Sequence, residues 1–443
     1  MSLFDSINKC HISGNGNLVH QFRINRYIFN LLLIALFFFA GVQKAGAAEK
    51  GSFSKNSKYY FDGHISRKVL ENYLDRSATM GYFLVHGTPE DYQFPYREDD
   101  VRMIKNIGIK FVGRAIYRWG QESWFNDPEY LGYAQRMIER VHAIDPEIIF
   151  QGCLFESISH DVEKVKIPAW VFKEFGLLVE DRTFIADSIT KRPNQLTTSN
   201  GWDGVPIINN LETRMWYFFL AASYINIGCE AFHLGQVELI GRDDKNHDYY
   251  AQIIDKIRTY AKIHARRHYV ILDGHVPSGG FLRNGVSLLD FNSFPLRIKA
   301  VVDKPYQGML QVGYLDAIFK KSKGGISPSG WNCESMPYLV EFDNYGKGET
   351  PNVADTTNIF VWGWDEISWL AQQPEKYRNN WLVYAHDWIK KTDPNGHLEM
   401  PITRMITCPN ETLRSYFANT KSETCPVGYS QEETIKEIWN SQK

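Results

Sequence analysis

Short apolar segments typical of strands alternate with longer segments typical of helices along most of this 443-residue chain. Strands that alternate with helices favour a parallel sheet covered on both faces, and eight such units favour a (β/α)8 barrel. We therefore predict an α/β protein with one TIM-type barrel as its single catalytic domain, and an open doubly wound sheet is the alternative. The predicted strands are 81–87, 109–119, 147–156, 228–236, 269–275, 286–301, 337–346 and 358–366.

The N-terminal segment has the pattern of a secretory signal. Arg23 and Arg26 precede a short apolar run, and Ala45 and Ala47 are spaced for signal peptidase. The run is shorter than the roughly 20 residues of a spanning helix, although an uncleaved anchor is the alternative. We therefore expect an exported, periplasmic or extracellular protein without stable membrane insertion. The predicted organisation is a signal peptide at 1–47, a lead-in at 48–79, the barrel at 80–406 and a tail at 407–443.

Composition and motifs exclude several classes of function. The net charge of −2 argues against a surface that binds nucleic acid. No G-x-G-x-x-G follows the first predicted strand and no P-loop is present, so nucleotide chemistry has no support. The chain has no H-E-x-x-H and no cysteine–histidine cluster, so we predict neither a metal nor another cofactor. Cys408 and Cys425 flank a polar segment, where a disulfide is plausible in an oxidising compartment.

Carboxylates follow the ends of several predicted strands, where a barrel places its catalytic groups. A carboxylate beside buried apolar residues loses hydration, which raises its pKa unless donors satisfy it. Several such groups at one barrel mouth can have separated pKa values, as acid and base catalysis requires. The candidate catalytic residues are Glu156, Glu238, Glu341 and Asp343.

The segment YLVEFDN carries the strongest of these patterns. Side chains alternate along a strand, so Val340 and Phe342 share the face toward the helices, while Glu341 and Asp343 share the face toward the barrel interior. Asn344 then lies at the rim, where it can bind a hydroxylated ligand. The alternative is an internal ion pair between one of these acids and Arg114, which points from the second strand.

Other polar and aromatic residues near predicted strand ends are candidates for substrate binding. A lone histidine there is more often structural or substrate-positioning than catalytic, and Asp365 has the alternative role of an acid at a helix N-terminus. Glu156 can also cap a turn, and Glu238 can pair with Arg242. Tryptophans, Trp119 among them, are candidates to stack on sugar faces. The substrate-binding candidates are His86, Arg114, His233, Gln236, His275, Trp331, Asn344, Trp362, Trp364 and Asp365.

With its export signal, its strand-end acids and its aromatic segments DNYG and WGWDE, the chain resembles a secreted bacterial barrel-type glycoside hydrolase. In the largest barrel clan of retaining glycosidases the acid/base follows strand four and the nucleophile ends strand seven. That resemblance implies these roles for Glu238 and Glu341. The clan has Asn directly before the strand-four acid, whereas Val237 stands there in this chain.

The resulting hypothesis is hydrolysis of a glycosidic bond in a poly- or oligosaccharide. Glu238 or Glu156 protonates the leaving oxygen, and Glu341 or Asp343 attacks the anomeric carbon or activates water. A carboxyl separation of about 5–5.5 Å implies retention, and about 6.5–9.5 Å implies inversion. One alternative is a non-catalytic carbohydrate-binding barrel, in which arginines lock the acids in ion pairs. Another is a metal-dependent hydrolase.

Overall fold

A computed structural model of the protein describes residues 54–86, 95–190, 204–344, 362–406 and 415–441. The predicted signal peptide lies outside the described residues. So does Cys408, and its disulfide with Cys425 therefore stays a prediction. Within the described part of the chain, no helix has both the length and the apolar character needed to cross a membrane.

Eight parallel strands in the described residues form the centre of the molecule. Neighbouring strands pair in sequence order from β1 to β5 and again from β6 to β8. β8 consists of two segments interrupted at Glu399. The strands are β1 (Ser77–Met80), β2 (Phe111–Ile116), β3 (Ile149–Cys153), β4 (Ala231–His233), β5 (Ile271–Asp273), β6 (Asn292–Pro295), β7 (Tyr338–Glu341) and β8 (Gly396–Leu398 and Met400–Met405).

Two junctions turn this sheet into a ring. Between β5 and β6, His275 and Ser293 form a parallel bridge, and the Ser293 N–H donates to the Gly274 carbonyl at 3.0 Å. In β8 the first segment pairs with β7 and the second pairs with β1, so one strand joins the two ends of the sheet. The predicted (β/α)8 barrel is confirmed, and the alternative of an open doubly wound sheet is excluded.

Two of the predicted strands do not overlap the observed barrel strands. The first begins at Ser77 rather than at residue 81, and the apolar run at 82–85 packs into the core from turns. The eighth strand is β8, so its prediction at 358–366 was wrong. Of that segment, 358–361 lie outside the described residues, and Glu366 begins a helix.

The helices surround the barrel. α2 has three acidic residues in its first turn, and it is followed by Gly108, whose φ of +71° suits the left-handed cap. α6 is apolar on nearly every face and is buried throughout all but its ends. The helices are α1 (Arg67–Leu74), α2 (Arg97–Ile107), α3 (Pro128–His142), α4 (Ala169–Glu174), α5 (Ala186–Thr190), α6 (Leu211–Asn226), α7 (Val237–Ile240), α8 (Asp248–His264), α9 (Glu366–Ala371), α10 (Glu375–Thr392) and α11 (Glu432–Ser441).

The amino-terminal end of the barrel is closed by the segment that precedes β1. Tyr59, Phe61 and Tyr73 of this segment pack against the first residues of the strands, which include Phe111 and Ile149. The Tyr73 hydroxyl donates to the Tyr59 carbonyl at 3.0 Å, which ties α1 to the lead-in. Apolar side chains therefore seal this end of the barrel, and the opposite end is the one that remains for a functional site.

Short strands outside the barrel elaborate its connections and its C-terminal segment. Ser415–Phe417 pairs antiparallel with β8, and α11 packs against α2 through the ion pair of Arg102 with Glu432. The remaining strands are Leu282–Arg283, Val286–Ser287, Lys299–Val301, Lys304–Met309, Gly325–Ile326 and Asn332–Cys333. In the ranges that the structure describes, 3-10 helices lie at Glu122–Asn126 and His160–Lys164.

The C-terminal segment contacts α2 through Asn419. Removal of the Asn419 side chain gives a first testable prediction. The fully buried Asn419 amide donates to Asp99 Oδ2 at 2.8 Å and to Asp100 Oδ1 at 3.1 Å. Burial raises the pKa of Asp100 to about 6. We expect Asn419→Ala to lower the free energy of unfolding by about 1–3 kcal/mol, because both carboxyls lose a buried donor.

Urea denaturation measures this effect. The matched control is Asn126→Ala, since the Asn126 side chain is exposed and donates to the Lys164 carbonyl at the surface. Its cost should be about 0.5 kcal/mol or less. Equal losses in the two variants would contradict the role assigned to Asn419.

Candidate active site

The barrel interior near the carboxyl ends of the strands is unusually polar. Barrels of this type are usually filled with branched apolar side chains, and buried charges are costly unless they are paired. In this barrel, polar and charged side chains surround a cavity with room for about one water molecule. The cavity is lined by Arg114, Gln151, His233, Asp273, Ser293, Leu339, Glu341 and Glu399.

Arg114 is placed in this interior by an irregularity in β2. The register between β2 and β3 shifts between Val112 and Ile116, and Arg114 within that stretch has a φ of +56°. A non-glycine residue in the left-handed region is uncommon, and bulges often re-aim a side chain beside an active site. The Arg114 N–H donates to Gln151 Oε1 at 2.9 Å, which stabilises this backbone conformation.

Glu341, at the end of β7, is the centre of the charge network. Its Oε1 contacts Arg114 Nη2 and lies 3.0 Å from His275 Nε2, and its Oε2 accepts from Arg404 Nη1 at 3.2 Å. Burial acts to raise the pKa of this carboxyl, but Arg114, His275 and Arg404 outweigh it and hold the pKa well below its usual range. Glu341 is therefore a buried carboxylate that stays ionised.

Asp273 and His233 form a second buried pair beside Arg114. His233 Nδ1 lies 2.8 Å from Asp273 Oδ2, and Gln151 Nε2 donates to Asp273 Oδ1 at 2.7 Å. Burial raises the pKa of Asp273 to about 7. Burial, followed by the charges of Arg114 and His275, lowers the pKa of His233 well below its usual value. The His233 ring is therefore neutral at physiological pH.

Glu399, at the interruption of β8, completes the floor of the site. A methyl group at position 113 would overlap the Glu399 carboxyl, so Gly113 provides the space that this side chain occupies. Burial, and then the charge of Glu341, raises the pKa of Glu399 to about 7. Arg404, in the second segment of the same strand, donates to the Phe342 carbonyl at 2.8 Å.

Glu156 and Glu238 lie outside this floor, on the loops that follow β3 and β4. Both are partly exposed. Gln236 donates to Glu156 at 3.3 Å through both its backbone N–H and its side-chain amide. Glu238 lies on α7 and accepts from the Ser278 N–H at 3.2 Å. Glu156 is therefore held by the β4 loop beside His233, whereas Glu238 is directed toward the β5 loop.

Aromatic side chains form a wall on the β2 and β3 side of the mouth. Tyr82 and Tyr117 have ring centroids 4.3 Å apart, and Tyr117 and Phe155 are 4.9 Å apart. Trp119 lies 5.0 Å from Phe155, and Phe155 lies 5.7 Å from the His233 ring. The wall thus extends from the strand ends to the polar floor.

Other residues proposed from the sequence lie further from this floor. Asp343 forms an ion pair with Arg297 at 3.1 Å, and Asn344 is partly exposed beside it. His86 is exposed and stacks on Tyr133 of α3 with a centroid distance of 4.7 Å. Asp365 is buried and caps α9 by accepting from the Ser368 N–H at 2.9 Å, which is the structural role considered as its alternative.

Three proposed tryptophans are not brought to the charge network. Trp331 donates to the Ile65 carbonyl at 3.0 Å and packs against the apolar cluster that seals the opposite end of the barrel. Trp362 is buried and stacks on Trp369 with centroids 4.8 Å apart. Trp364 is partly buried against the main apolar core. None of these positions leaves a ring face at the polar floor.

Sequence reasoning missed four residues of the network: Gln151, Asp273, Glu399 and Arg404. Gln151 and Asp273 are single polar residues inside apolar strand segments, IIFQGC and VILDGH. That contrast is a usable signal, because a polar residue in a buried strand requires a partner. Glu399 and Arg404 lie in β8, which the sequence pattern did not identify as a strand.

The described residues contain no group of three or more His, Cys, Asp or Glu side chains arranged to hold a metal ion. The histidine and carboxylate groups of the floor are instead engaged with arginine and with one another. The chemistry that the arrangement itself supplies is that of an ionised carboxylate, a neutral imidazole and guanidinium donors.

The chain matches no family model and no curated protein. Among solved structures, it is similar to the debranching enzyme from Nostoc punctiforme, with 9% identity over 86% of this chain and 81% of that one and a TM-score of 0.44. It is also similar to cyclic alpha-maltosyl-(1→6)-maltose hydrolase from Arthrobacter globiformis, with 10% identity, coverage of 84% and 83%, and a TM-score of 0.47. A third similar structure is the GH36 alpha-galactosidase from Geobacillus stearothermophilus, with 9% identity over 83% of this chain and 41% of that one and a TM-score of 0.36. Likenesses this weak carry no argument about function, and the barrel is assigned from its own strand pairing.

Proposed function

We propose that the protein is an exported glycoside hydrolase in which Glu341 is the ionised carboxylate and Glu156 is the proton donor. Glu341 acts as the nucleophile or as the base that activates water, and Glu156 protonates the leaving oxygen. Both roles follow the two-carboxylate logic of glycoside hydrolysis. This assignment prefers Glu156 to Glu238 and Glu341 to Asp343.

The observation that carries the proposal is that Glu341 and Glu156 reach the end of β4 from different strands. Arg114 Nη2 contacts Glu341 at the end of β7 and lies 3.5 Å from His233 Nε2. Glu156, in the loop after β3, accepts from the backbone N–H and the side-chain amide of Gln236, three residues after His233. Glu156 is partly exposed, whereas Glu341 is buried and is held ionised by arginines.

The aromatic wall supports a carbohydrate ligand. Sugar rings present apolar C–H faces together with hydroxyl groups, which suit an aromatic side chain beside polar donors and acceptors. Trp119 is the ring that best fits this role, since it is partly exposed and packs on Phe155, which in turn contacts the His233 ring. Gln236 and His275 supply hydrogen-bonding groups in the loops that follow β4 and β5.

A second candidate function, a non-catalytic carbohydrate-binding barrel, is favoured by one observation. Both oxygens of Glu341 are engaged, one by Arg114 and His275 and the other by Arg404. A carboxylate with all these partners can be a purely structural ion pair. The two candidates share the ligand class and differ in whether turnover occurs.

A screen of the full-length mature protein against a panel of plant and host glycans tests the proposal. We expect reducing ends to appear with at least one glycan, with the anomer of the first product read by NMR. A retained anomer makes Glu341 the nucleophile, and an inverted one makes it the base. Binding without product on every glycan that binds would support the second candidate instead.

A further inference from the structure

A closed chain of hydrogen-bonding groups begins and ends at Arg114. The Arg114 N–H donates to Gln151 Oε1 at 2.9 Å, and Gln151 Nε2 donates to Asp273 Oδ1 at 2.7 Å. His233 Nδ1 lies 2.8 Å from the other Asp273 oxygen, and His233 Nε2 lies 3.5 Å from Arg114 Nη2. The same Nη2 atom contacts Glu341.

The backbone donor of Arg114 sets the direction of this chain. Because Gln151 Oε1 accepts from that N–H, the Gln151 amide must present its NH₂ group to Asp273. Asp273 Oδ1 therefore acts as an acceptor. When Asp273 is ionised, its Oδ2 also accepts, and the proton between Asp273 and His233 must then lie on His233 Nδ1.

The tautomer of His233 decides how its other nitrogen meets Arg114. With the proton on Nδ1, Nε2 is a lone pair that can accept from the guanidinium, although 3.5 Å is long for such a bond. With the proton on Nε2, two donors face each other. The first arrangement holds Arg114 against Glu341, and the second pushes it away.

We propose that Asp273 is a positioning residue that fixes His233 as the Nδ1–H tautomer, so that His233 Nε2 orients the Arg114 guanidinium onto Glu341. The assignment of the tautomer stands on the hydrogen-bonding geometry with Asp273 ionised. Its consequence for catalysis rests on the function proposed above.

The charged and titratable groups around these residues are Arg114, Glu156, Asp273, His275 and Glu341 for the His233 ring, with Glu399 and Arg404 added around Glu341. Burial raises the pKa of Asp273 to about 7. A protonated Asp273 would donate to His233 Nδ1 and force the proton of the ring onto Nε2. The Nδ1–H tautomer is therefore expected above neutral pH.

The test is long-range ¹H–¹⁵N NMR of the full-length protein labelled with ¹⁵N-histidine, recorded at pH 8.5. We expect His233, identified by the signals that disappear in His233→Gln, to carry its proton on Nδ1. In Asp273→Asn the carboxamide NH₂ can face Nδ1, so the proton should move to Nε2. In Asp343→Asn, the same change in a carboxylate held by Arg297, the tautomer should be unchanged. If His233→Gln does not fold, neutron diffraction from wild-type crystals at pH 8.5 locates the proton directly.

An Nε2–H tautomer in the wild-type protein at pH 8.5, or an unchanged tautomer in Asp273→Asn, overturns the proposal.

A separate kinetic measurement tests the consequence for catalysis. Asp273→Asn should lower kcat by about 10–100-fold, the range known for residues that orient metal-ligating side chains, with KM little changed. The acid limb of the pH profile of kcat should move to higher pH in this variant. Arg114 lowers the pKa of Glu341, and a displaced Arg114 lowers it less. A wild-type protein that turns over no glycan removes this measurement and the proposed function, while the NMR result still decides the tautomer.

Discussion

Glu341→Gln is expected to abolish glycan hydrolysis while ligand binding persists. The substitution keeps the shape of the side chain but removes the negative charge that stabilises or attacks the anomeric centre. Loss of a general base alone lowers turnover by about 10²–10⁴-fold, and loss of a nucleophile can lower it further. Turnover should be measured on the best substrate of the glycan panel, and binding by calorimetry with the same glycan.

Stability must be measured beside activity in this variant, because Glu341 also neutralises Arg114 and Arg404. A thermal scan shows whether loss of turnover reflects loss of fold. The matched control is Glu334→Gln, the same chemical change at an exposed position a few residues before β7, which should retain both activity and stability. Full activity in folded Glu341→Gln would remove Glu341 from the mechanism.

Strand β7 illustrates what the sequence could predict. The alternation in YLVEFDN placed Glu341 inside and Val340 and Phe342 outside, and the structure has that arrangement: Glu341 meets Arg114, and Phe342 packs on Trp381 of α10. A buried strand has only two faces, so two acids two residues apart must share one of them. Which arginine each acid meets could not be read in this way, and Asp343 pairs with Arg297 rather than with Arg114.

Strand β8 illustrates what the sequence concealed. Its segment GHLEMPITRM contains Glu399, Pro401 and Arg404, which break the apolar run expected of a parallel barrel strand. The break exists because the barrel interior is polar at this point, so the buried polar network itself removes the apolar pattern by which a parallel strand is recognised. The segment 358–366 was predicted to be the eighth strand because its residues are mostly apolar and aromatic.

The arrangement of Arg114 lies beyond sequence patterns altogether. Its positive φ and the register shift of β2 arise from the pairing with β3 and from the Gln151 acceptor. Both are long-range features that no local spacing encodes. The same holds for Trp331 and Trp362, because an aromatic residue in a loop reads the same way whether it packs inward or faces a ligand.

Glu230→Gln is expected to cause the largest loss of stability among conservative substitutions at the sealed end of the barrel. Glu230 is fully buried, contacts Arg266 Nη2 and lies 3.3 Å from Arg267 Nε. Burial acts to raise the pKa of this carboxyl, but Arg267 and Arg266 outweigh it and lower the pKa. Neutralising Glu230 removes the buried carboxylate that pairs with both guanidinium groups, at a cost of about 3–5 kcal/mol. Urea denaturation at pH 7 measures the difference.

The pH dependence of that difference separates the ion pair from simple repacking. A carboxyl whose pKa is lower in the folded than in the unfolded state stabilises the fold above its unfolded pKa of about 4.3, and the stabilisation is lost as the pH falls. The gap between wild type and Glu230→Gln should therefore narrow below about pH 4. The control Glu129→Gln removes an exposed pair with Arg136, in which the two side chains are 71% and 59% exposed. It should cost about 1 kcal/mol or less at any pH. A gap for Glu230→Gln that stays constant down to pH 3 would assign the loss to packing, because an uncharged defect does not titrate.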